Sequence, residues 1–242
     1  MGTMPRRPTL ARNLAIAARW PLGISLTSWR YMWRTTPMRR AEVEGSPGED
    51  GAPPLPARVA TDELQGTEDG SGALFHRSYR VRVRDPALSP EALVARIAAD
   101  PDRVAPREFA TFNKVQGDKG SMTVGDEYVV RMPGPWDGPV RVVEVTPTSF
   151  RLATLTGHLE AGQIEFRAAR EGDRLAFTIE SWARSGDRLS DLLYGHLRMA
   201  KEVQLHMWTS FLERVVDLAE GRRDGLLKIH TRRIEDSADR GP

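Results

Sequence analysis

DRLSDLLYGHLRMAKEVQLHMWTSFLERVVDLAE, residues 187–220, is the stretch whose reading decides the fold. Gly195 alone interrupts it and Gly221 follows it, so the spacing predicts one helix from Asp187 to Glu220, closed by Gly221. At about 100° per residue, Leu189, Leu193, Leu197, Ala200, Val203, Met207, Phe211, Val215 and Leu218 share one face, with Asp191, Glu202, Thr209, Glu213 and Glu220 opposite. At about 1.5 Å per residue the helix is roughly 50 Å long, and its stripe needs a wide apolar partner.

The residues before it supply that partner as strands. ALFHRSYRVRVRD, from Ala73, places Phe75, Tyr79, Val81 and Val83 on one face and His76, Ser78, Arg80, Arg82 and Arg84 on the other. Ser89-Pro90-Glu91 then caps a short helix ended by Pro101, and a second short helix is expected around Pro106 to Phe112. Further strands follow through Tyr128–Met132, Val140–Val145, Phe150–Thr156, Gln163–Ala168 and Arg174–Arg184, joined by turns short enough for antiparallel neighbours.

The flanks differ in composition. Residues 1–41 hold eight arginines and no acid, against a net charge of +2 for the whole chain. Arg12, Arg19, Trp20, Trp29, Arg30, Trp33 and Arg34 give this arm the make-up of an interfacial helix, so an anionic membrane surface is one expected partner. Packing on the protein itself is the plainer reading, and nucleic acid is the least favoured. Arg12 and Arg19 interrupt the apolar run that an export signal would need, and no stretch approaches the roughly 20 apolar residues of a membrane span. Residues 42–72 turn to Gly, Pro and acid and read as a flexible linker; residues 73–221 form the folded domain; residues 222–242 read as a charged, mobile tail. With no cysteine, disulfides and thiolate chemistry are excluded, and the expected location is the cytoplasm, peripheral to the inner membrane face if the arm binds lipid.

One strand, two short helices, several antiparallel strands and a long helix is an order that resembles the START-like superfamily, whose α+β helix-grip fold wraps a curved antiparallel sheet on a long C-terminal helix. Thr154-Leu155-Thr156-Gly157-His158-Leu159-Glu160-Ala161-Gly162, followed by Phe166, is similar to the Gly-His-Pro-Glu-x-Gly segment of a bacterial family of unassigned activity within that superfamily, with Leu159 where Pro is frequent. The likeness runs from about Phe75 to Gly221 and implies about six to seven strands and a cavity between sheet and helix, but no catalytic residues. The superfamily includes lipid-transfer proteins and polyketide cyclases and aromatases, so the expected ligand is an apolar small molecule.

Alternation assigns Tyr128, Val130, Met132, Phe166, Phe177 and Ile179 to the cavity side, and the helix adds Leu193, Leu197, Val203, Met207 and Phe211. His196 and Gln204 are polar residues on the apolar helix face and need partners, for which Glu180, Arg77, Glu144 or a ligand head are candidates. If the protein is an enzyme of the cyclase, aromatase or hydratase kind, His196 and Glu180 are the candidate acid–base groups. Trp136, His158 and Glu160 are placed at the pocket mouth, although the glycines around His158 also suit a tight bend held by its ring. The histidines show no metal spacing and no nucleotide or hydrolase motif occurs, so neither metal nor cofactor is expected. A third reading is an interaction protein whose core is simply filled.

Overall fold

The computed structural model describes residues 38–108, 110–132, 137–186 and 194–235, with 194–203 as backbone alone. In chain order these are β1 (Met38–Glu44), β2 (Ser71–Arg84), α1 (Pro90–Ala99), β3 (Thr111–Gln116), β4 (Glu127–Arg131), β5 (Asp137–Thr146), β6 (Ser149–Thr154), β7 (Glu160–Glu171), β8 (Arg174–Ser185), α2 (Tyr194–Leu218), β9 (Arg222–Arg223) and β10 (Leu227–Ile234). Among the described residues the strands form one large curved sheet in the order β1-β10-β2-β8-β7-β6-β5-β4-β3, with β9 paired to β2. Neighbours are antiparallel except β1 with β10.

Ten strands replace the expected six to seven, because β1, β3, β9 and β10 lie where the sequence shows little alternation. The segment 222–234, read as a mobile tail, instead inserts β10 between β1 and β2, with Ile229 opposite both Arg40 and Tyr79. Thr111–Gln116 is likewise a strand where a second helix was expected to end: Phe112 donates its N–H to Asp102 Oδ1 at 2.7 Å and pairs with Val130 of β4. A single 3₁₀ turn, Pro101–Arg103, follows α1, whose first turn is capped by Ser89 Oγ accepting from the Ala92 N–H at 3.2 Å.

The helix α2 lies on the inner face of the sheet. Met207, Phe211 and Val215 are buried as the periodicity requires, joined by Leu205, Trp208, Leu212, Val216 and Ala219. Thr209, expected on the solvent side, is only 2% exposed; its hydroxyl donates to the His206 carbonyl at 3.1 Å. Residues 187–193 of the expected helix fall outside the described residues. At the other end Glu220, not Gly221, takes the left-handed conformation (φ 54°). Gly221 serves close packing instead, since a Cβ there would lie 2.4 Å from Val83 Cγ1.

On the outer face of the sheet His76, Glu127, Arg141 and Arg151 are polar yet buried, which requires cover. Residues 45–70, read as a linker, form a strap across it. Asp50 meets His76; the carbonyls of Pro53 and Pro54 accept from Gln163 Nε2 (3.1 Å) and Arg151 (3.2 Å); Val59, Leu55 and Leu64 pack on Val143 and Ala153. Arg141 donates to the carbonyls of Ala60 (2.9 Å) and Asp62 (2.8 Å), and Gln65 to those of His158 and Glu160. The strap carries few apolar side chains because its main contribution is backbone carbonyl oxygen, which composition does not reveal. None of the described helices is long and apolar enough to cross a membrane.

Candidate functional site

Strand parity sorts the candidates. On β7 and β8 the inner residues are Glu160, Gly162, Ile164, Phe166 and Leu175, Phe177, Ile179, Ser181, Ala183, facing α2. Phe166 stacks on Phe150 (ring centroids 4.8 Å apart) and touches Trp208 (5.6 Å) and Phe211 (5.5 Å), while Phe177 meets Phe211 at 6.3 Å. Tyr128, Ile179 and Met207 are buried in the same cluster, Val130 packs on its edge, and Met132 is half-buried. In this half of the layer the expected cavity residues fill the space with one another.

Past Phe166 the inner face changes character. Ile164 opposes Ser181 and Gly162 opposes Ala183, so large side chains give way to small ones. Ser181 and Ala183 are buried nonetheless, and among the described residues neither Ser181 Oγ nor the indole Nε1 of Trp208 has a hydrogen-bond partner. On β2, Arg77 shares the inner face with Phe75 and Tyr79. Its guanidinium lies over the Phe75 ring at 4.7 Å and 3.7 Å from Glu160 Oε1. Gln204 of α2 donates to the same carboxylate at 3.3 Å. The structure thus brings together Gln204, Glu160 and Arg77, the first two from the expected cavity and mouth sets.

His158 has a structural partner. Its Nδ1 accepts from the Glu160 N–H at 2.9 Å, and burial lowers its pKa against the opposing effect of the Glu160 carboxylate, so the ring is held neutral with Nδ1 free to accept. Gly157 (φ 97°) makes the bend. Gly162 permits a close approach, since a Cβ there would lie 1.9 Å from the Trp182 carbonyl oxygen.

Glu180 requires correction. Lying next to Ile179 in β8, it points to the outer face, away from α2, and accepts from His76 Nε2 at 2.7 Å. His76 Nδ1 sits 3.3 Å from Asp50 Oδ1, its ring stacks on Trp182 at 5.1 Å, and Arg232 and Arg167 flank the two carboxylates. The hydrogen bond from His76 holds the Glu180 carboxyl below its ordinary range. Through His76, which meets Asp50, this cluster joins the sheet to the strap on the outer face. Among the described residues no group of three or more His, Asp or Glu side chains is placed to hold a metal ion. The side chains of His196, Leu197 and Val203 lie outside the described residues, as do Leu193, Trp136 and the arm residues Arg12, Arg19, Trp20, Trp29, Arg30, Trp33 and Arg34.

The family model described as Domain of unknown function (DUF1990) matches residues 76–214. The chain belongs to the DUF1990 family. That match begins at His76 and ends at Arg214, so the strap, β1, β9 and β10 of this DUF1990 protein lie outside it. A search of curated proteins returns no match. Among solved structures, the chain is similar to the major latex-like protein 151 of Panax ginseng (10% identity, TM-score 0.43, 60% of this chain and 97% of that one). It is also similar to norcoclaurine synthase from Thalictrum flavum in complex with dopamine and hydroxybenzaldehyde (9%, 0.43, 61% and 88%). A third is the di-domain ARO/CYC StfQ of the steffimycin biosynthetic pathway (10%, 0.47, 64% and 52%). These likenesses are of outline and carry nothing about activity.

Arg77 was signalled by the sequence: alternation in β2 puts a cation on the face of Phe75 and Tyr79. Arg40, Glu42 and Thr231, which stand nearby, had no signal, because they sit in segments read as arm, linker and tail.

Proposed function

We propose that this DUF1990 protein binds an apolar small molecule between the inner face of the sheet and the first half of α2. The observation that carries the reading is the step on that face, where Gly162, Ser181 and Ala183 follow the aromatic cluster and two buried polar atoms, Ser181 Oγ and Trp208 Nε1, have no partner among the described residues. Each such atom costs about 1–3 kcal/mol when left unpaired. A ligand bearing an oxygen would offset that cost, and the aromatic floor would take its apolar body at about 25 cal/mol per Å² removed from water. A carrier at the inner membrane face, with the arginine-rich arm holding it there, is the finer form of the proposal.

The test is native mass spectrometry of the full chain purified without detergent, with gentle ejection of bound molecules. A stoichiometric hydrophobic adduct supports the reading, and Ala183→Leu, which fills the step, should abolish it. A clean apo mass together with no uptake of an environment-sensitive apolar dye sinks it. That outcome favours the second reading, an interaction module with a filled core, which the ring contacts of Phe150, Phe166, Phe177, Trp208 and Phe211 support. The cyclase, aromatase or hydratase reading has lost Glu180 to the outer face and rests on His196 alone.

A further inference from the structure

A pocket of about 40 Å³, room for a few water molecules, opens between β1, β10, β2 and α2. Its polar walls are Arg40, Glu42, Arg77, Tyr79, Gln204 and Thr231. Arg40 and Glu42 come from β1 and Thr231 from β10, so half of this polar set lies outside the residues that match the family.

Floor and rim differ. On the floor, Tyr79 is 3% exposed and Arg77 8%. Among the described residues the Tyr79 hydroxyl makes no hydrogen bond, and the one ion-pair contact of Arg77, 3.7 Å to Glu160, is longer than a hydrogen bond. Burial pushes the Tyr79 phenol up to about 12, with Arg77 and Arg40 acting downward and Glu160 upward. The hydroxyl therefore stays a neutral donor, and three charges converge on it. Around the rim, Glu42 and Arg40 are exposed to water. Both residues are largely buried but turn a donor toward the pocket, and one donor is cationic, so an acceptor that is itself charged fits them best. Water screens the exposed rim acid, whereas Arg77 is largely buried with only a 3.7 Å contact to Glu160, so a single negative charge is favoured beside it on the floor. A dianion would meet Glu42 and Glu160 together, and the small volume suits a planar two-oxygen head.

We propose that this pocket is a binding site for a carboxylate, the acidic end of an apolar ligand, built jointly by the DUF1990 core and its flanking strands. It rests on the apolar-ligand reading above and names the class of ligand.

The experiment titrates the full chain with dodecanoate, dodecanol, methyl dodecanoate and dodecyl phosphate, followed by isothermal calorimetry. Dodecanoate should bind about tenfold or more tighter than the alcohol or ester, as a charge-assisted hydrogen bond implies. Tyr79→Phe, which removes only the hydroxyl, and Arg77→Met should each weaken dodecanoate severalfold and leave dodecanol unchanged. If Arg77→Met fails to fold, Tyr79→Phe and Thr231→Val decide. Equal binding of acid and alcohol, or dodecanoate binding untouched by these variants, overturns the carboxylate site while leaving the apolar-ligand reading in place. Tighter binding of dodecyl phosphate overturns the carboxylate assignment. If none of the four binds, the apolar-ligand reading falls and takes this site with it.

Discussion

Replacing Glu127 by Gln tests whether the strap is a structural part of the sheet. Glu127 is 2% exposed and accepts from Arg141 NH2 at 2.7 Å and from Nε at 3.2 Å; the same guanidinium donates through NH1 to the Ala60 and Asp62 carbonyls of the strap. Gln keeps the shape and an acceptor but removes the charge, leaving Arg141 buried opposite a neutral group. Breaking one partner of a buried pair costs about 3–5 kcal/mol. The lower end applies here, because the exposed carboxylates of Asp62 (3.5 Å) and Glu63 (3.9 Å) still face the guanidinium. In urea, a loss of about 3 kcal/mol moves the midpoint by about 1 M or more at an ordinary slope. The double variant Glu127→Leu/Arg141→Met removes both charges and should recover most of that loss, since an apolar pair of similar volume is often neutral. It cannot restore the two bonds to the strap, each contributing about 1 kcal/mol. Trypsin cleavage at exposed Arg58 should therefore remain fast in the double variant while global stability returns. A shift below about 0.5 kcal/mol in Glu127→Gln, or unchanged cleavage at Arg58 in both variants, would refute this account of the strap.

Other outcomes follow from the same geometry. The His158 imidazole is held below its ordinary 6.5, so its contribution is full above pH 6.5 and declines as pH falls below that value. Melting temperatures of wild type and His158→Asn should therefore diverge near pH 7 and converge toward pH 5. Glu180 is held below its ordinary 4.5, so His76→Phe should blunt the loss of stability that wild type shows as pH falls below 4.5, read by circular dichroism. Gly162→Ala would set a methyl 1.9 Å from the Trp182 carbonyl oxygen and should cost at least about 2 kcal/mol in denaturant. A chain begun at Met38 should melt cooperatively and no longer sediment with anionic liposomes, whereas retained sedimentation would remove the arm from the membrane proposal.

Legibility in the sequence followed side-chain periodicity. Met207, Phe211 and Val215 announce the helix face, and Phe75, Tyr79 and Val81 announce the strand it rests on, because burial of apolar side chains imposes a period. The strap left no such signal: what it presents to Arg141, Arg151 and Gln163 is carbonyl oxygen, common to every residue. β1 and β10 were missed for a related reason. They are held by ladder bonds to each other and to β2, and only Leu227, Ile229 and Ile234 of β10 are buried apolar side chains. Glu180 was misplaced although its neighbour Ile179 was placed on the inner face; period-two alternation already sends it outward.

The buried polar residues of the outer face tie these observations together. His76, Arg141, Arg151 and Glu127 all lie within residues 76–214, yet each is buried, and His76, Arg141 and Arg151 bond directly to the strap. A sheet cut at the family boundary would present these groups to water without their acceptors. On the inner face the same flanks supply Arg40, Glu42 and Thr231 to the pocket over Arg77 and Tyr79. The flanks therefore stabilise one face of the sheet and shape the other, and β1 couples the two, since Gly45 at its end leads straight into the strap through Ser46 and Asp50. Loss of the strap should then weaken carboxylate binding on the opposite face. The Glu127→Leu/Arg141→Met protein gives the means to see it: a strap that has lost two hydrogen bonds of about 1 kcal/mol each, with dodecanoate affinity unchanged, would show the two faces to be independent.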